Sequence, residues 1–257
     1  MMGLSVILIT HNAERTLSQC LESVVWADEI IVVDSGSTDD TSAIAATYTK
    51  QVHQHPFQGF GLQKQAALQY ATQDWVLSVD ADEVLDAELQ QAIKQVVQSN
   101  TGPIAGYRLA FQSYFCGHPI RFGDWRSESH LRLFQRRLGQ FSAEPVHESL
   151  AVAGEISTLP GRVHHHSYPD WDTVLDKMQR YSSLGAQKKW AQGKRANTYT
   201  ALGHSAWAFL RGYVLKLGFL DGMPGLLLAL SRAEETRYRY LKLRDLDLQK
   251  NSDRCLL

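Results

Sequence analysis

The sequence predicts an α/β fold: a mostly parallel, Rossmann-like sheet flanked by helices, with a C-terminal helical extension. In the first hundred residues, apolar runs of strand length alternate with segments whose apolar residues recur every three or four positions. From Trp171 onward the pattern is helical, at about 171–192, 198–216 and 224–248. We therefore expect a sheet domain of residues 1–170 and a helical domain of residues 171–257.

Three segments have the continuous apolar and β-branched composition of buried parallel strands, namely Leu4–Thr10, Glu29–Val33 and Trp75–Val79. Amphipathic spacing predicts helices between and after them, at about 17–25, from Thr41, at about 61–71 and at about 85–97. After Gly102, short apolar segments separated by Gly, Pro and charged loops predict strands of a mixed extension, at 107–111, 130–134, 155–159 and 162–167.

Composition and charge limit the class of protein. The chain is 44% hydrophobic and 21% charged, as soluble globular proteins are. Its three cysteines are widely spaced, which suggests a reducing compartment, and no secretory signal is recognisable. Residues 1–170 carry 11 Lys and Arg against 19 Asp and Glu, whereas residues 171–257 carry 15 against 8. This asymmetry predicts a cationic partner for the first domain and an anionic partner for the second.

The segment Asp80-Ala81-Asp82-Glu83 follows a predicted buried strand directly. Open α/β sheets bind ligands at the carboxyl ends of their strands. Carboxylates that lie close together repel one another unless a cation is present, and hard ions such as Mg²⁺ or Mn²⁺ prefer oxygen ligands shared with a diphosphate. The alternative is a helix start at which Asp82, Glu83 and Asp86 face the helix dipole.

Polar residues also follow the first two strands. Thr10-His11-Asn12 ends the first, and a run from Asp34 to Thr41 ends the second. Asp34 is placed to accept hydrogen bonds from a ribose hydroxyl or a base, while Asp39 is better explained as a helix cap. The sequence contains no glycine-rich phosphate loop. A metal held by Asp80 or Asp82 would then take over the binding of phosphates.

Taken together, these motifs resemble the family 2 glycosyltransferases of GT-A fold, and more narrowly the lipopolysaccharide inner-core β-1,4-glucosyltransferases. The resemblance covers nearly the whole chain. It rests on the segments Leu4–Asn12, Trp26–Thr41, Phe60–Lys64, Asp74–Glu83, Leu131–Phe134, Val146–Glu148, His164–Tyr168 and Gly218–Gly222.

The resemblance implies a role for each matching residue. Thr10, Asn12 and Asp34 would line a uridine pocket, and Asp80 would contact the ribose or an outer-shell water. Lys64 would lie near the base or the phosphates, unless it is a solvated helix lysine. Asp82 would bind a divalent metal, Mg²⁺ or Mn²⁺, on the diphosphate of the donor.

Two further roles are implied later in the chain. Glu148 would be the general base that deprotonates the acceptor hydroxyl, unless it pairs with a nearby arginine. Glu83 and Asp124 are its competitors. His165 would be a second metal ligand, unless it is a hydrogen-bonded core histidine. It is selected over its neighbours by aligning Tyr168 with the family pattern.

The resemblance implies an inverting, metal-dependent transfer of a hexose, glucose by the narrower resemblance, from UDP to a sugar hydroxyl of a lipopolysaccharide core or other lipid-linked glycan. The basic C-terminal segments are interleaved with aromatic residues, which favours peripheral contact with an anionic membrane at its cytoplasmic inner face. Nucleic acid is not expected, because the proposed active face is acidic.

Two rivals stay open at this point. A sugar nucleotidyltransferase would require a glycine-rich basic loop at residues 9–13, where Ile9-Thr10-His11-Asn12-Ala13 stands instead. A non-catalytic scaffold protein at the membrane would have no need for Asp34, Asp80, Asp82 and Glu148.

Overall fold

The computed structural model describes residues 2–99, 102–126, 128–142 and 149–254. The chain divides into two units. The first consists of Met1–Gln112 with Glu128–His166, and the second of Ser113–Ser127 with Ser167–Leu257. Each is described separately. The residue range 113–127, which the sequence grouped with the sheet, belongs to the second unit.

In the first unit, a sheet and its helices occupy the order expected of a doubly wound fold. The elements are β1 (Leu4–Thr10), α1 (Leu17–Glu22), β2 (Glu29–Asp34), α2 (Thr41–Tyr48), β3 (Gln51–Gln54), α3 (Phe60–Tyr70), β4 (Trp75–Asp80), β5 (Glu83–Leu85), α4 (Ala87–Gln98), β6 (Ile104–Phe115), β7 (His118–Pro119), β8 (Ser129–Gln135), β9 (Gly139–Phe141), β10 (Leu150–Val152) and β11 (Glu155–Tyr168). Of these, β7 lies in the second unit.

The main sheet runs in the order β3-β2-β1-β4-β8-β6-β11-β5. Its first four strands are parallel, and their register pairs Thr10 with Asp34 and Ile9 with Asp80. Strand β8 is antiparallel to β4, so its first residues lie at the carboxyl end of β4. Strand β5 is antiparallel to β11 and pairs Glu83 with His165. All the polar strand ends predicted from the sequence therefore lie at one edge.

The parallel strands are buried on both faces because alternate side chains enter two different cores. One core packs Leu8 and Leu77 against α1, α2 and α4, and the other packs Ile7 and Val76 against α3. This two-sided burial explains why these strands are continuously apolar in sequence.

Several predicted boundaries differ from those in the structure. The segments 155–159 and 162–167 form one strand, β11, in which Gly161 adopts φ +84°. A Cβ at Gly161 would lie 2.3 Å from the amide nitrogen of Leu89, so glycine lets the strand pass close to the start of α4. The predicted helix 198–216 ends its regular α-geometry at Phe209 and continues as a π-turn.

The second unit is helical apart from β7 and the ends of β6 and β11. Its helical elements are the 3₁₀ turn Gly123–Trp125, α5 (Trp171–Ala191), α6 (Thr198–Phe209), the π-turn Leu210–Leu215, the 3₁₀ turn Gly218–Asp221 and α7 (Gly222–Arg254). Helix α7 begins two residues earlier than predicted. Pro224 lies in its first turn, where a missing N–H costs nothing because those amides have no partner within the helix.

A cluster of glycines allows the bend between α6 and α7. A Cβ on Gly218 would lie 2.7 Å from the carbonyl oxygen of Gly212, and one on Gly225 would lie 2.0 Å from that of Gly218. Asp221 fixes the same bend by accepting hydrogen bonds from the backbone nitrogens of Arg121 and Phe122, at 3.1 and 2.8 Å. The backbone segments of this bend are therefore in direct contact.

Replacing Gly225 with alanine should lower the free energy of unfolding by about 1–3 kcal/mol, because the added methyl group would lie 2.0 Å from the backbone oxygen of Gly218 and the backbone would have to shift. Chemical denaturation measures this change. Gly203→Ala is the matched control: that helical glycine has open space around its Cβ position, and alanine there should stabilise the protein by up to about 1 kcal/mol. Equal effects at both positions would contradict the close packing.

Candidate active site

Two loops at the carboxyl ends of β1 and β2 are joined by hydrogen bonds around Asp34. Its Oδ1 accepts from Thr10 Oγ1 at 2.9 Å and from Ser37 Oγ, and its Oδ2 accepts from the nitrogens of Gly36 and Ser37, at 3.1 and 2.9 Å. Burial opposes ionisation, but the hydrogen bonds from Ser37 and Thr10 outweigh it and lower the pKa of Asp34. Both oxygens of Asp34 therefore order the loop that follows β2.

Asn12 completes the connection between these loops. It lies in the left-handed region at φ +50°, donates its backbone nitrogen to Ser37 Oγ at 2.9 Å and accepts at Oδ1 from the nitrogen of Thr38 at 2.9 Å. Asp39 accepts from the nitrogen of Thr41, which begins α2, but the residue at the N-cap position is Asp40 and its side chain caps no amide, so the expected cap at Asp39 is displaced by one residue. The predicted residues Thr10, Asn12 and Asp34 are thus brought together, with Asn12 exposed and the other two buried.

Asp80 at the end of β4 lies between two cations. Lys64 Nζ on α3 is 2.9 Å from its Oδ1, and Arg132 Nη2 on β8 is 2.8 Å from its Oδ2. Burial of Asp80 opposes ionisation, but Arg132 and Lys64 outweigh it and hold the pKa of Asp80 well below its usual value. Lys64 is itself buried, so the alternative of a solvated helix lysine is wrong.

Glu83 shares the same arginine. Its Oε1 accepts from Arg132 Nη2 at 2.5 Å, and its Oε2 accepts from the backbone nitrogen of Asp80 at 2.9 Å. Only 1% of the residue is exposed. Burial raises the pKa of Glu83 to about 8 against the opposing effect of Arg132. Glu83 therefore supports the turn between β4 and β5 from inside the protein.

Asp82 and His165 lie side by side at this turn. His165 Nε2 is 3.5 Å from Asp82 Oδ2, and both side chains are about three-tenths exposed. The pairing of β11 with β5 positions His165, and the nitrogen of His166 donates to the backbone oxygen of Asp82 at 2.9 Å. Burial lowers the pKa of His165, but the hydrogen bond and charge of Asp82, together with the charges of Glu83 and Asp80, outweigh burial and raise it.

The distance between Asp82 and His165 fits a shared divalent ion. Adjacent ligands on an octahedral ion with bonds of about 2.1 Å lie about 3 Å apart, close to the separation of these two atoms. Over residues 2–99, 102–126, 128–142 and 149–254, no group of three or more His, Cys, Asp or Glu side chains could hold a metal. A bound ion would take its other ligands from a diphosphate and water, as Mg²⁺ commonly does.

The three candidate bases have different positions. Glu148 lies within residues 143–148, outside the described part of the chain. Glu83 is buried and hydrogen-bonded as described above. Asp124, in the second unit, pairs with Arg211 and Lys216 at 3.0 and 2.9 Å. Burial would raise the pKa of Asp124, but these two cations lower it.

Arg132 is the site residue that the sequence did not reveal: it lies within the segment Leu131–Phe134 and is one of the arginines that could have paired with Glu148. The signal was a single arginine inside the apolar run Leu131-Arg132-Leu133-Phe134, where the cost of burying its charge requires an acidic partner. Cys20 also lies against this edge, with its Sγ 3.4 Å from the backbone oxygen of Asp80.

Comparisons with known proteins agree on one family. The profile of Glycosyl transferase family 2 matches residues 5–142. The chain is 31% identical to the lipopolysaccharide core biosynthesis glycosyltransferase LpsC of Rhizobium meliloti (strain 1021), over 92% of this chain and 93% of that protein. It is 30% identical to an uncharacterized glycosyltransferase of Rickettsia prowazekii (strain Madrid E), over 97% of this chain and 89% of the relative.

A solved structure has the same fold. The mannosyltransferase PcManGT from Pyrobaculum calidifontis, in complex with GDP-Man and Mn²⁺, superposes with a TM-score of 0.53 at 18% identity, over 95% of this chain and 88% of that one. The GT-A fold expected from the sequence is confirmed.

Proposed function

The chain belongs to glycosyl transferase family 2 and is a glycosyltransferase, and we propose that it transfers glucose from UDP-glucose with inversion, using Mg²⁺ or Mn²⁺. One observation carries this proposal: Asp82 and His165 lie 3.5 Å apart at the carboxyl edge of the sheet, next to an Asp80 carboxylate held by Lys64 and Arg132. Such an edge is where open α/β sheets bind nucleotides.

The loops after β1 and β2 form the uridine pocket. Asn12 is exposed at this edge, and Thr10 and Asp34 contribute by holding the loop Gly36–Thr38 in place. Asp34 keeps its charge because four hydrogen bonds stabilise it, so the pocket is ordered before the donor arrives. A pocket that is already ordered loses less conformational entropy on binding.

Asp82 and His165 would hold the divalent ion, while Lys64 and Arg132 keep Asp80 ionised and fixed in orientation. Asp80 would contact the ribose or a water molecule near the ion. A bound divalent ion supplies Lewis-acid stabilisation of the charge that develops on the leaving diphosphate. The buried Glu83 fixes the turn that carries Asp82, through its hydrogen bond from the nitrogen of Asp80.

The acceptor is a sugar hydroxyl of a lipopolysaccharide core or another lipid-linked glycan. The similarity to LpsC over nearly the full length of both proteins supports this choice. Such an acceptor is anchored in lipid, so the enzyme would work at the inner face of the cytoplasmic membrane. The second unit is basic enough to favour that surface, with 17 Lys and Arg against 10 Asp and Glu.

Glu148 is the general base in this proposal. The acceptor hydroxyl must lose a proton as it attacks the anomeric carbon from the face opposite the departing diphosphate. Of the two competitors, Glu83 is bound to Arg132 and to the nitrogen of Asp80, and Asp124 is bound to two cations. Both are already engaged, which favours Glu148.

Glu148→Gln should lower kcat by about 10²–10⁴-fold, the usual contribution of a general base, and leave donor affinity unchanged. Steady-state kinetics with a core oligosaccharide acceptor, together with titration of UDP-glucose, measures both. Glu155→Gln is the control, since Glu155 is exposed and has no role in the proposal. A normal kcat in Glu148→Gln would transfer the role to another group.

Calorimetric titration tests the donor and metal proposal directly. UDP, UDP-glucose and GDP-mannose are titrated into the full-length protein with Mn²⁺, with Mg²⁺ and with EDTA. GDP-mannose is included because the fold neighbour was solved with it. We expect the uridine nucleotides to bind only when a metal is present. If only GDP-mannose bound, the proposal of a UDP-sugar donor would be wrong. If UDP-glucose bound equally well in EDTA and in Mn²⁺, the proposal of a metal-dependent site would be wrong.

A further inference from the structure

An apolar surface is concentrated at the bend between α6 and α7. We call residues 207–223 the apolar tip. Between Val214 and Met223 the buried residue is Gly218, and the large side chains point outward. Leu215 is 59% exposed, Leu220 53% and Met223 64%, with Phe219 and Trp207 also exposed. Several large apolar side chains exposed on one short segment are typical of an interaction site on a folded protein.

The tip is held in this exposed conformation by the rest of the second unit. Gly212, Gly218 and Gly225 bring its backbone segments into contact, and Asp221 accepts hydrogen bonds from two amides of the segment 121–122. Arg211 and Lys216 are both bound to Asp124. These contacts fix the conformation of the turn, so the leucines on its outer side stay exposed.

Cations border the tip. Arg121 is exposed beside the carboxylate that caps the bend, and the side chains of Arg211 and Lys216 are 44% and 47% exposed even though they pair with Asp124. The acidic group of the tip itself, Asp221, is directed at backbone amides. Arg121, Arg211 and Lys216 outnumber the two acidic groups of this region, Asp124 and Asp221, so the net positive charge would attract anionic lipid headgroups.

The apolar character of α7 is confined to its start. From Arg232 the helix carries charged residues at most turns, among them Glu235, Arg239 and Lys242. Within the described residues no single helix has the length and apolarity to cross a bilayer, and only the pair Thr198–Leu215 and Gly218–Leu248, bent by 70°, passes that test together. A bent pair with a charged second arm suits shallow insertion at an interface.

We propose that the apolar tip inserts into the interface of an anionic phospholipid bilayer, with Leu215, Leu220 and Met223 among the acyl chains and Arg121, Arg211 and Lys216 at the headgroups. Trp207 and Phe219 lie at the boundary, where aromatic rings are favoured. The sequence predicts contact between the whole C-terminal region and an anionic membrane. The present proposal assigns that contact to the apolar tip. The proposal does not depend on which sugar is transferred.

Vesicle flotation tests the insertion. The full-length protein is mixed with vesicles of phosphatidylcholine alone or with one-third phosphatidylglycerol, and the triple variant Leu215→Ser, Leu220→Ser, Met223→Ser is compared with it. We expect the parent protein to float with the anionic vesicles, less so with neutral ones or in high salt, and the triple variant to lose at least about tenfold in partition coefficient.

The control carries Leu175→Ser and Leu184→Ser on α5, two leucines that are 53% and 51% exposed. It should float like the parent, and circular dichroism should show that every variant is folded. Three results would overturn the proposal: no flotation of the parent, equal flotation of the triple variant, or an equal loss in the control. A parent that is dimeric in light scattering and a triple variant that is monomeric, with no vesicle binding by either, would assign the tip to self-association.

Discussion

Asp82→Asn is expected to abolish metal-dependent donor binding and to lower kcat/KM by at least about 100-fold, while leaving the protein folded. The loss follows from the several kcal/mol that a metal contributes to stabilising a leaving diphosphate. The fold should survive because the Asp82 side chain is part-exposed and contacts His165, whereas the turn is supported by the contacts that Arg132 makes with Asp80 and with the buried Glu83.

The measurement is titration of UDP-glucose with Mn²⁺, together with the thermal midpoint of each variant. Asp74→Asn is the matched control, since this exposed aspartate precedes the same strand. It should bind donor as the parent does. His165→Ala should weaken binding in the same metal-dependent manner, because it removes the other proposed ligand. Donor binding by Asp82→Asn that still depends on Mn²⁺ would place the ion elsewhere.

The sequence was sufficient for the parallel half of the fold and for the strand ends that compose the site. Continuous apolar runs such as Leu4–Thr10 can be buried on both faces only in a covered parallel sheet, and polar residues at their carboxyl ends then meet at one edge. The family prediction, which used the order of these motifs, is confirmed by the match over residues 5–142.

What could not be predicted depends on pairings between distant segments. Only the antiparallel register of β11 on β5 places His165 next to Asp82, and no local pattern fixes a register between strands about eighty residues apart. Arg132 was missed for the same reason. Its role depends on its contacts with Asp80 and Glu83, which lie on other strands, and the residues around Arg132 in sequence do not reveal these contacts.

Asp34 shows a different limit of the sequence. A carboxylate after a buried strand indicates a ligand, yet the structure engages both of its oxygens with the protein's own loop. An aspartate after a buried strand can bind a ligand or order the protein's own loop, and the sequence alone does not distinguish these two roles. Asp80 and Asp82 differ in the same way: one is bound by two cations, and the other faces a histidine at the surface.

Arg132→Met is expected to lower both the stability and the activity of the protein. The guanidinium is 13% exposed and is bound by the Asp80 carboxylate and by the almost fully buried carboxyl group of Glu83. Removing the arginine should cost about 3 kcal/mol or more, because Asp80 loses one of its two cations and the buried Glu83 loses its hydrogen-bond donor. Lys64 would then be the cation left on Asp80, and the turn that carries Asp82 would lose its shared anchor.

Urea unfolding and kcat/KM together test this expectation. The control is Arg137→Met, which replaces an exposed arginine just after the same strand, β8. The double variant Arg132→Met, Glu83→Gln separates the two effects. It removes a buried carboxylate along with its cation, so part of the stability should return, while activity should stay low because Asp80 is still held from one side only. If Arg132→Met were as stable as the control, the arginine would not support the buried turn.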